Sequence, residues 1–232
     1  MHPQHLPTFS HPKVSQCRAA WKRILWRLRT GSLRAIKRSV DLAAVLPALL
    51  LLAPLFLVVA ALIRLHDGGP VLYWQQRVGL RGRLFAFPKF RSMCTNSDAV
   101  RAQLEAANQH GAQGVTFKMR HDPRITPIGR FIRRFSIDEL PQLWCILKGD
   151  MTLVGPRPPI PSEVAKYSLR ERGRLSVTPG LTCFWQVNGR SDVPFEQQVE
   201  MDFDYIQQRS LWVDLKLLIK TIPAVIGGRG AY

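Results

Sequence analysis

LAAVLPALLLLAPLFLVVAALIRL, Leu42 to Leu65, carries one charged residue, Arg64, and two prolines, Pro47 and Pro54. As one helix these 24 residues would extend about 36 Å, enough to cross a hydrocarbon core of about 30 Å. Pro54 lies near the middle. A proline inside a helix removes one backbone hydrogen bond and clashes with the preceding turn, so it kinks the helix. The legs Leu42–Ala53 and Leu55–Leu65 each reach roughly half the core thickness.

The flanks carry the second clue. Residues 1–40 hold nine Lys or Arg and no acid, and residues 64–91 hold six bases against Asp67 alone. Basic residues beside a membrane segment stay on the cytoplasmic side, so both flanks prefer the same face. A hairpin that dips into one leaflet and returns satisfies the prolines and the charges together. A single span with tolerated proline kinks is the alternative. A cleaved leader is disfavoured, because the run starts late, is long, and lacks a small-residue cleavage site after it.

The chain of 232 residues has a net charge of +17, which predicts an anionic partner: phospholipid, nucleic acid or a phosphorylated substrate. Only one long apolar run exists, which excludes a polytopic transporter. Cys17, Cys94, Cys145 and Cys183 are too sparse for a disulfide scaffold and have no zinc-ligand spacing, so they read as reduced thiols. Residues 1–16 read as a loose tail whose histidines have no ligand spacing. In residues 17–40, Trp21, Ile24, Leu25 and Leu28 share one helical face, with Lys22, Arg23, Arg27 and Arg29 elsewhere. Such a basic amphipathic helix suits an anionic lipid surface; packing on the protein's own core is the other reading.

Residues 41–66 form the membrane segment, and residues 67–232 form a domain long enough to bury its own core. Gly68-Gly69-Pro70 is a turn. Val71–Gln76 and Leu84–Phe90 read as strands joined by a bend at Gly79–Gly82. Helices are expected at Ser97–Asn108, Ser136–Gly149, Ser162–Arg174, Pro194–Arg209 and Leu211–Val225. Gly149–Pro161 and Thr178–Asp192 read as loops.

Asp138-Glu139 is the most suggestive pair of side chains. Adjacent carboxylates sit too close to flank a sugar on both faces. They suit a nucleophile beside a group that holds a metal or manages a proton. Capping competes with this reading, since Ser136-x-x-Glu139 fits a capping box. Lys89 and Arg91 in PKFRS, and Arg157 between Pro156 and Pro158, are cations able to stabilise charge on transferring phosphoryl oxygens. Each also reads as an ordinary surface charge.

Several blocks together resemble a known family. His121–Pro158 (HDPRITPIGRFIRRFSIDELPQLWCILKGDMTLVGPRP) is similar to the signature of bacterial sugar transferases, the small monotopic polyprenol-phosphate phosphoglycosyl transferases. The likeness continues through Gly68–Met93, Thr178–Asp192 and Ser210–Leu218, in the same order. It implies an α+β fold: a mostly helical small catalytic domain with short strands, anchored by a kinked re-entrant membrane helix and interfacial amphipathic helices. It also implies a location on the cytosolic face of the bacterial inner membrane.

The reaction so implied moves a sugar-1-phosphate, a hexose-1-phosphate by the likeness of the C-terminal GGRGAY to exopolysaccharide members. The donor is a UDP-sugar, the acceptor is undecaprenyl phosphate, and UMP is released. By resemblance Asp138 is the nucleophile of a ping-pong exchange and Glu139 its partner, with Mg²⁺ held by Asp138 and Glu139. Arg77, Lys89, Arg91, Arg157 and Asp214 are the expected substrate-binding residues. An anionic membrane and downstream glycosyltransferases are the implied partners. No nucleic acid is expected, since no recognisable module for one is present. One departure stands out: the family often has Ser-Pro at the bend, and here it is Ala53-Pro54. The rival to an enzyme is a non-catalytic basic scaffold on the membrane surface.

Overall fold

A computed structural model describes residues 12–97, 119 and 122–228. The chain divides into two units, residues 1–40 and 41–232. The first is helical from Pro12 onward; the second holds every described strand. Helix α1 is Pro12–Asp67, with Pro47 and Pro54 inside it. It stops where expected: Gly68 takes a left-handed conformation, and its N–H donates to the Arg64 carbonyl at 2.9 Å, a common helix ending.

Residues 34–67 are long and apolar enough to cross a membrane. One stripe of this segment is nonetheless covered by protein. Val45, Leu49, Leu52, Phe56, Val59 and Ile63 recur at steps of three and four, so they share a helical face. The upper part packs on Phe85, Phe87, Leu143, Ile146 and Met151. The lower part packs on Phe90, Ile132, Val71 and Ile137. Pro47 and Pro54 fall off this stripe. The other side exposes Leu46, Leu50, Leu51, Leu57, Val58 and Leu62.

Strands β1 (Leu72–Val78) and β2 (Leu84–Phe90) form an antiparallel hairpin, with Leu72 opposite Phe90 and Val78 opposite Leu84. Alternation along β2 puts Phe85, Phe87 and Lys89 on one face. After it come helix α2 (Pro127–Arg134), a 3-10 turn (Ile137–Gln142) and helix α3 (Leu143–Lys148). The single helix expected at Ser136–Gly149 is therefore two pieces. Pro141 lies inside the tighter turn, where its missing N–H does not stop α3 from starting two residues later.

The expected loops at Gly149–Pro161 and Thr178–Asp192 hide a parallel pair, β3 (Thr152–Val154) and β4 (Gly180–Thr182). Strands of three residues leave too little alternation to read. A Cβ on Gly180 would lie 2.0 Å from the Gly155 nitrogen, so only glycine allows the two chains this close. Ser162–Arg174 is likewise broken, into helix α4 (Pro161–Ala165) and a 3-10 turn at Glu171–Ser176. The short helix α5 (Phe184–Val187) follows β4. Helices α6 (Phe195–Gln208) and α7 (Leu211–Gly227) lie close to their expected bounds. The helix expected at Ser97–Asn108 lies, beyond its first residue, outside the described residues, as do residues 1–11 of the tail.

Helix α7 has two different sides. Leu217 is buried with Val154 and Tyr205. Leu211, Trp212, Leu215, Ile219, Ile222 and Ile226 form an exposed apolar stripe.

A buried ion pair ties α6 to the turn at Glu171–Ser176: Arg174 Nε donates to Asp202 Oδ2 at 2.7 Å, and Arg174 Nη1 donates to the Tyr167 hydroxyl at 3.1 Å. Removing one partner of such a pair leaves a charge buried and uncompensated. Asp202→Ala is expected to cost about 3–5 kcal/mol of stability, read as a lower denaturant midpoint. A double replacement with apolar residues, Arg174→Met with Asp202→Leu, is expected to recover most of it.

Candidate active site

The segment that places Asp138 begins at Thr126, whose hydroxyl accepts the Gly129 N–H at 2.9 Å and caps α2, with Pro127 at its first position. This is a strong helix start. Gly129 lets α2 press on the exit of β2, since a Cβ there would lie 1.9 Å from the Ser92 carbonyl oxygen. Ser136 then takes a left-handed conformation at φ 53°. That conformation is costly for a non-glycine residue; it turns the chain sharply and sends Ile137 into the apolar cluster beneath α1. Asp138 and Glu139 follow in the first turn of the 3-10 segment.

The capping box is not formed. The Ser136 side chain makes no capping hydrogen bond, and the Glu139 carboxylate is engaged elsewhere. Lys89 Nζ donates to Glu139 Oε1 at 3.0 Å, and Arg157 grips both Glu139 oxygens, the contact to Oε2 being 3.2 Å. Arg157 is itself held from both sides by proline. Arg77 Nη1 donates to the Pro158 carbonyl at 2.9 Å, and the Val78 N–H to Pro159 at 2.9 Å. The Gly155–Gly180 contact sits just before this Pro-Arg-Pro segment and fixes where it leaves β3.

The two neighbouring carboxylates thus have opposite surroundings. Burial alone would raise Glu139, but the charges and hydrogen bonds of Arg157 and Lys89 outweigh it and hold the group well below the usual carboxylate range. Burial pushes Asp138 up to about 6; Lys89 opposes this and the Glu139 charge adds to it. Among the described residues nothing donates a hydrogen bond to the Asp138 carboxylate. Burial lowers Lys89, against the pull of Glu139. Burial and the repulsion of Arg157 bring Arg77 down to about 10.

Asp138, Glu139, Arg77, Lys89 and Arg157 all line one cavity of 470 Å³, a volume suited to a nucleotide-sized ligand. Two expected residues are not there. Arg91 donates to both Asp67 oxygens and to the Pro70 carbonyl, which ties the end of α1 to β2. Asp214, in the first turn of α7, accepts the Tyr205 hydroxyl at 2.9 Å and is not among the residues lining the cavity. The cavity also holds Arg133, Tyr167, Arg174, Gln186 and Arg190, which the sequence reading did not select. Arg133 falls in a basic run with nothing to mark it, and Arg190 follows an ordinary Asn-Gly turn.

The model for "Bacterial sugar transferase" matches residues 32–228. The chain belongs to the bacterial sugar transferase family. Three curated relatives give the level of likeness. Exopolysaccharide production protein ExoY of Rhizobium meliloti is 42% identical over 209 residues, 88% of this chain and 92% of the relative. Galactosyl transferase CpsE of Streptococcus agalactiae is 43% identical over 196 residues, 84% of this chain and 43% of the relative. Undecaprenyl-phosphate galactose phosphotransferase of Salmonella typhimurium is 43% identical over 213 residues, 90% of this chain and 44% of the relative. The chain therefore spans almost all of the first relative and less than half of the other two. As a sugar transferase, it keeps its cations and its acidic pair around one cavity formed within residues 41–232.

Proposed function

We propose that this protein transfers a hexose-1-phosphate from a UDP-sugar to undecaprenyl phosphate, the step that starts an exopolysaccharide or related glycan. One observation carries the chemistry: a buried Asp138 carboxylate with no hydrogen-bonded partner among the described residues opens into a cation-lined cavity, while its neighbour is neutralised. In the first half, an Asp138 oxygen attacks the β-phosphorus of the donor. The bond from that phosphorus to the bridging oxygen breaks, and UMP leaves with the oxygen. In the second half, an oxygen of the lipid phosphate attacks the same phosphorus and the Asp138 carboxylate is restored. Lys89 and Arg157 face the oxygens on which charge spreads in both halves. Glu139 sets the positions of those two cations.

Among the described residues no cluster of three metal-ligating side chains exists, and Glu139 is taken by two cations. The Asp138 carboxylate is the oxygen donor of the pair left to hold Mg²⁺, an ion that would otherwise be bound largely by water and substrate oxygens. Mg²⁺ held this way would neutralise charge on the diphosphate.

The decisive assay offers membranes containing the protein a panel of UDP-sugars with undecaprenyl phosphate and Mg²⁺. UMP release is expected, together with a phosphosugar adduct on Asp138 seen by intact mass when the acceptor is left out. Absence of UMP from every donor would reject the transfer; product without any adduct would reject the two-step route.

We also infer that the apolar part of α1 enters and leaves the bilayer on the cytosolic side. Both of its ends are tied to the same domain. Thr152 Oγ1 donates to Asp41 Oδ2 at 2.5 Å, and Arg91 holds Asp67. A helix that crossed alone would carry one of these ends to the far face. The exposed stripe of α7 is a further apolar surface suited to the lipid interface. Cysteines placed at Arg38 and His66 are both expected to react with an impermeant thiol reagent only after the cytosolic side is opened. Labelling of one of them from outside would overturn this topology.

A further inference from the structure

We infer that Arg190 is a phosphate-binding residue of the cavity, reserved for a substrate rather than for the fold. The inference rests on the phosphoryl-transfer reading above and adds to it a residue outside the Asp138-Glu139 pair and the Pro-Arg-Pro segment.

Three observations meet at this residue. The first is place. Arg190 lines the cavity that holds Asp138 and Glu139 and is half-buried. Both carboxylates act on it electrostatically, as does Arg157. The second is the state of its guanidinium. Other cations of the cavity are already engaged: Lys89 and Arg157 by Glu139, Arg77 by the Pro158 carbonyl, and Arg174 by Asp202. Among the described residues, no hydrogen bond or ion pair engages the Arg190 guanidinium, although its carbonyl accepts the Val193 N–H at 3.4 Å; the Arg133 guanidinium, at the end of α2, shares that condition. An arginine partly removed from water with its donors unspent is matched by an anion with several oxygens, and phosphate suits its planar fork.

The third observation is backbone strain. Arg190 has φ 52°, directly after Gly189 at φ 147°. Glycine occupies this region freely and asparagine does so readily, whereas arginine gains nothing locally from it. A residue held in such a conformation against its own preference points to a function that the side chain performs. The 3-10 turn Arg190–Asp192 aims the side chain, with the Asp192 N–H donating to the Gly189 carbonyl at 3.1 Å.

Two phosphate sources reach this cavity under the proposed reaction, the donor diphosphate and the lipid monophosphate, and binding measurements separate them. Wild type, Arg190→Gly and Arg190→Lys would be titrated in lipid nanodiscs with UDP and, separately, with a short-chain polyprenyl phosphate. Melting temperature would be recorded for each. Arg190→Gly removes the cation and the strain together. It is expected to keep or raise the melting temperature while weakening one ligand by about tenfold or more. Arg190→Lys should fall between the two. Loss confined to UDP assigns the donor diphosphate; loss confined to the polyprenyl phosphate assigns the acceptor. Unchanged affinity for both ligands overturns the inference. So does a drop in melting temperature in Arg190→Gly that accompanies the loss of binding, because Arg190 would then serve the fold. Binding is read without turnover. Binding of either ligand that depends on Arg190, in a wild type that releases no UMP, would reject the transfer reading and leave this assignment standing.

Discussion

Asp138→Asn is expected to abolish turnover and, at neutral pH, to make the protein more stable. The loss of rate should reach about a thousandfold or more, the scale for removing a nucleophile that nothing replaces. The gain in stability follows from burial. In the folded protein the Asp138 carboxyl is raised from 3.8 to about 6. A carboxyl raised on folding holds its proton more tightly in the folded state, so ionising it disfavours the fold. That cost is absent below about pH 4, grows as pH rises, and is complete above about pH 6, where a shift of this size corresponds to about 3 kcal/mol. Asparagine has nearly the same shape and no charge to desolvate. Denaturant unfolding of both proteins at pH 7.5 and at pH 4 should show the difference at the first value and little at the second. The same ionisation predicts that donor turnover by the wild type falls about tenfold per pH unit once the pH drops below the value at which Asp138 protonates. A fully active Asp138→Asn variant would reject the catalytic role of Asp138.

The neighbouring substitution should do the opposite to stability. Glu139→Gln makes the same chemical change one residue away, and a loss of about 3–5 kcal/mol is expected, because Lys89 and Arg157 are left in the cavity wall without their shared counter-charge. The Glu139 carboxyl is held well below its ordinary value of 4.5. Its stabilising contribution is therefore present above that value and is lost as pH falls through the depressed one. The difference from wild type should shrink only in strong acid. Turnover should fall about a hundredfold as the two cations lose their positions. Measured side by side at pH 7.5, the two variants should move the unfolding midpoint in opposite directions. A destabilised Asp138→Asn or a neutral Glu139→Gln would show that the two carboxylates share one environment, contrary to the geometry.

That contrast marks the boundary between what is local and what is not. Asp138-Glu139 is legible as a pair, and so is the Pro-Arg-Pro segment around Arg157. Nothing in the chain says that Lys89 reaches Glu139 across 50 residues, or Arg157 across 18. Arg91 shows the same limit in reverse. It lies two residues from Lys89 and is equally basic, but Lys89 points with Phe85 and Phe87 while Arg91 lies past the end of β2 and closes on Asp67.

The apolar segment with its basic flanks, the hairpin of β1 and β2, helices α6 and α7, and the acidic pair are all legible in the order of residues alone. Each is written in spacing, turn residues or charge within a short window, and short-range sterics and amphipathicity act over that window. Which carboxylate is neutralised, that Asp214 accepts the Tyr205 hydroxyl, and that Arg190 faces the acidic pair emerge only from the folded arrangement. Those outcomes depend on burial and on charge summed over residues far apart in the chain, and neither quantity exists until β2, the 3-10 turn and the paired strands β3 and β4 have come together.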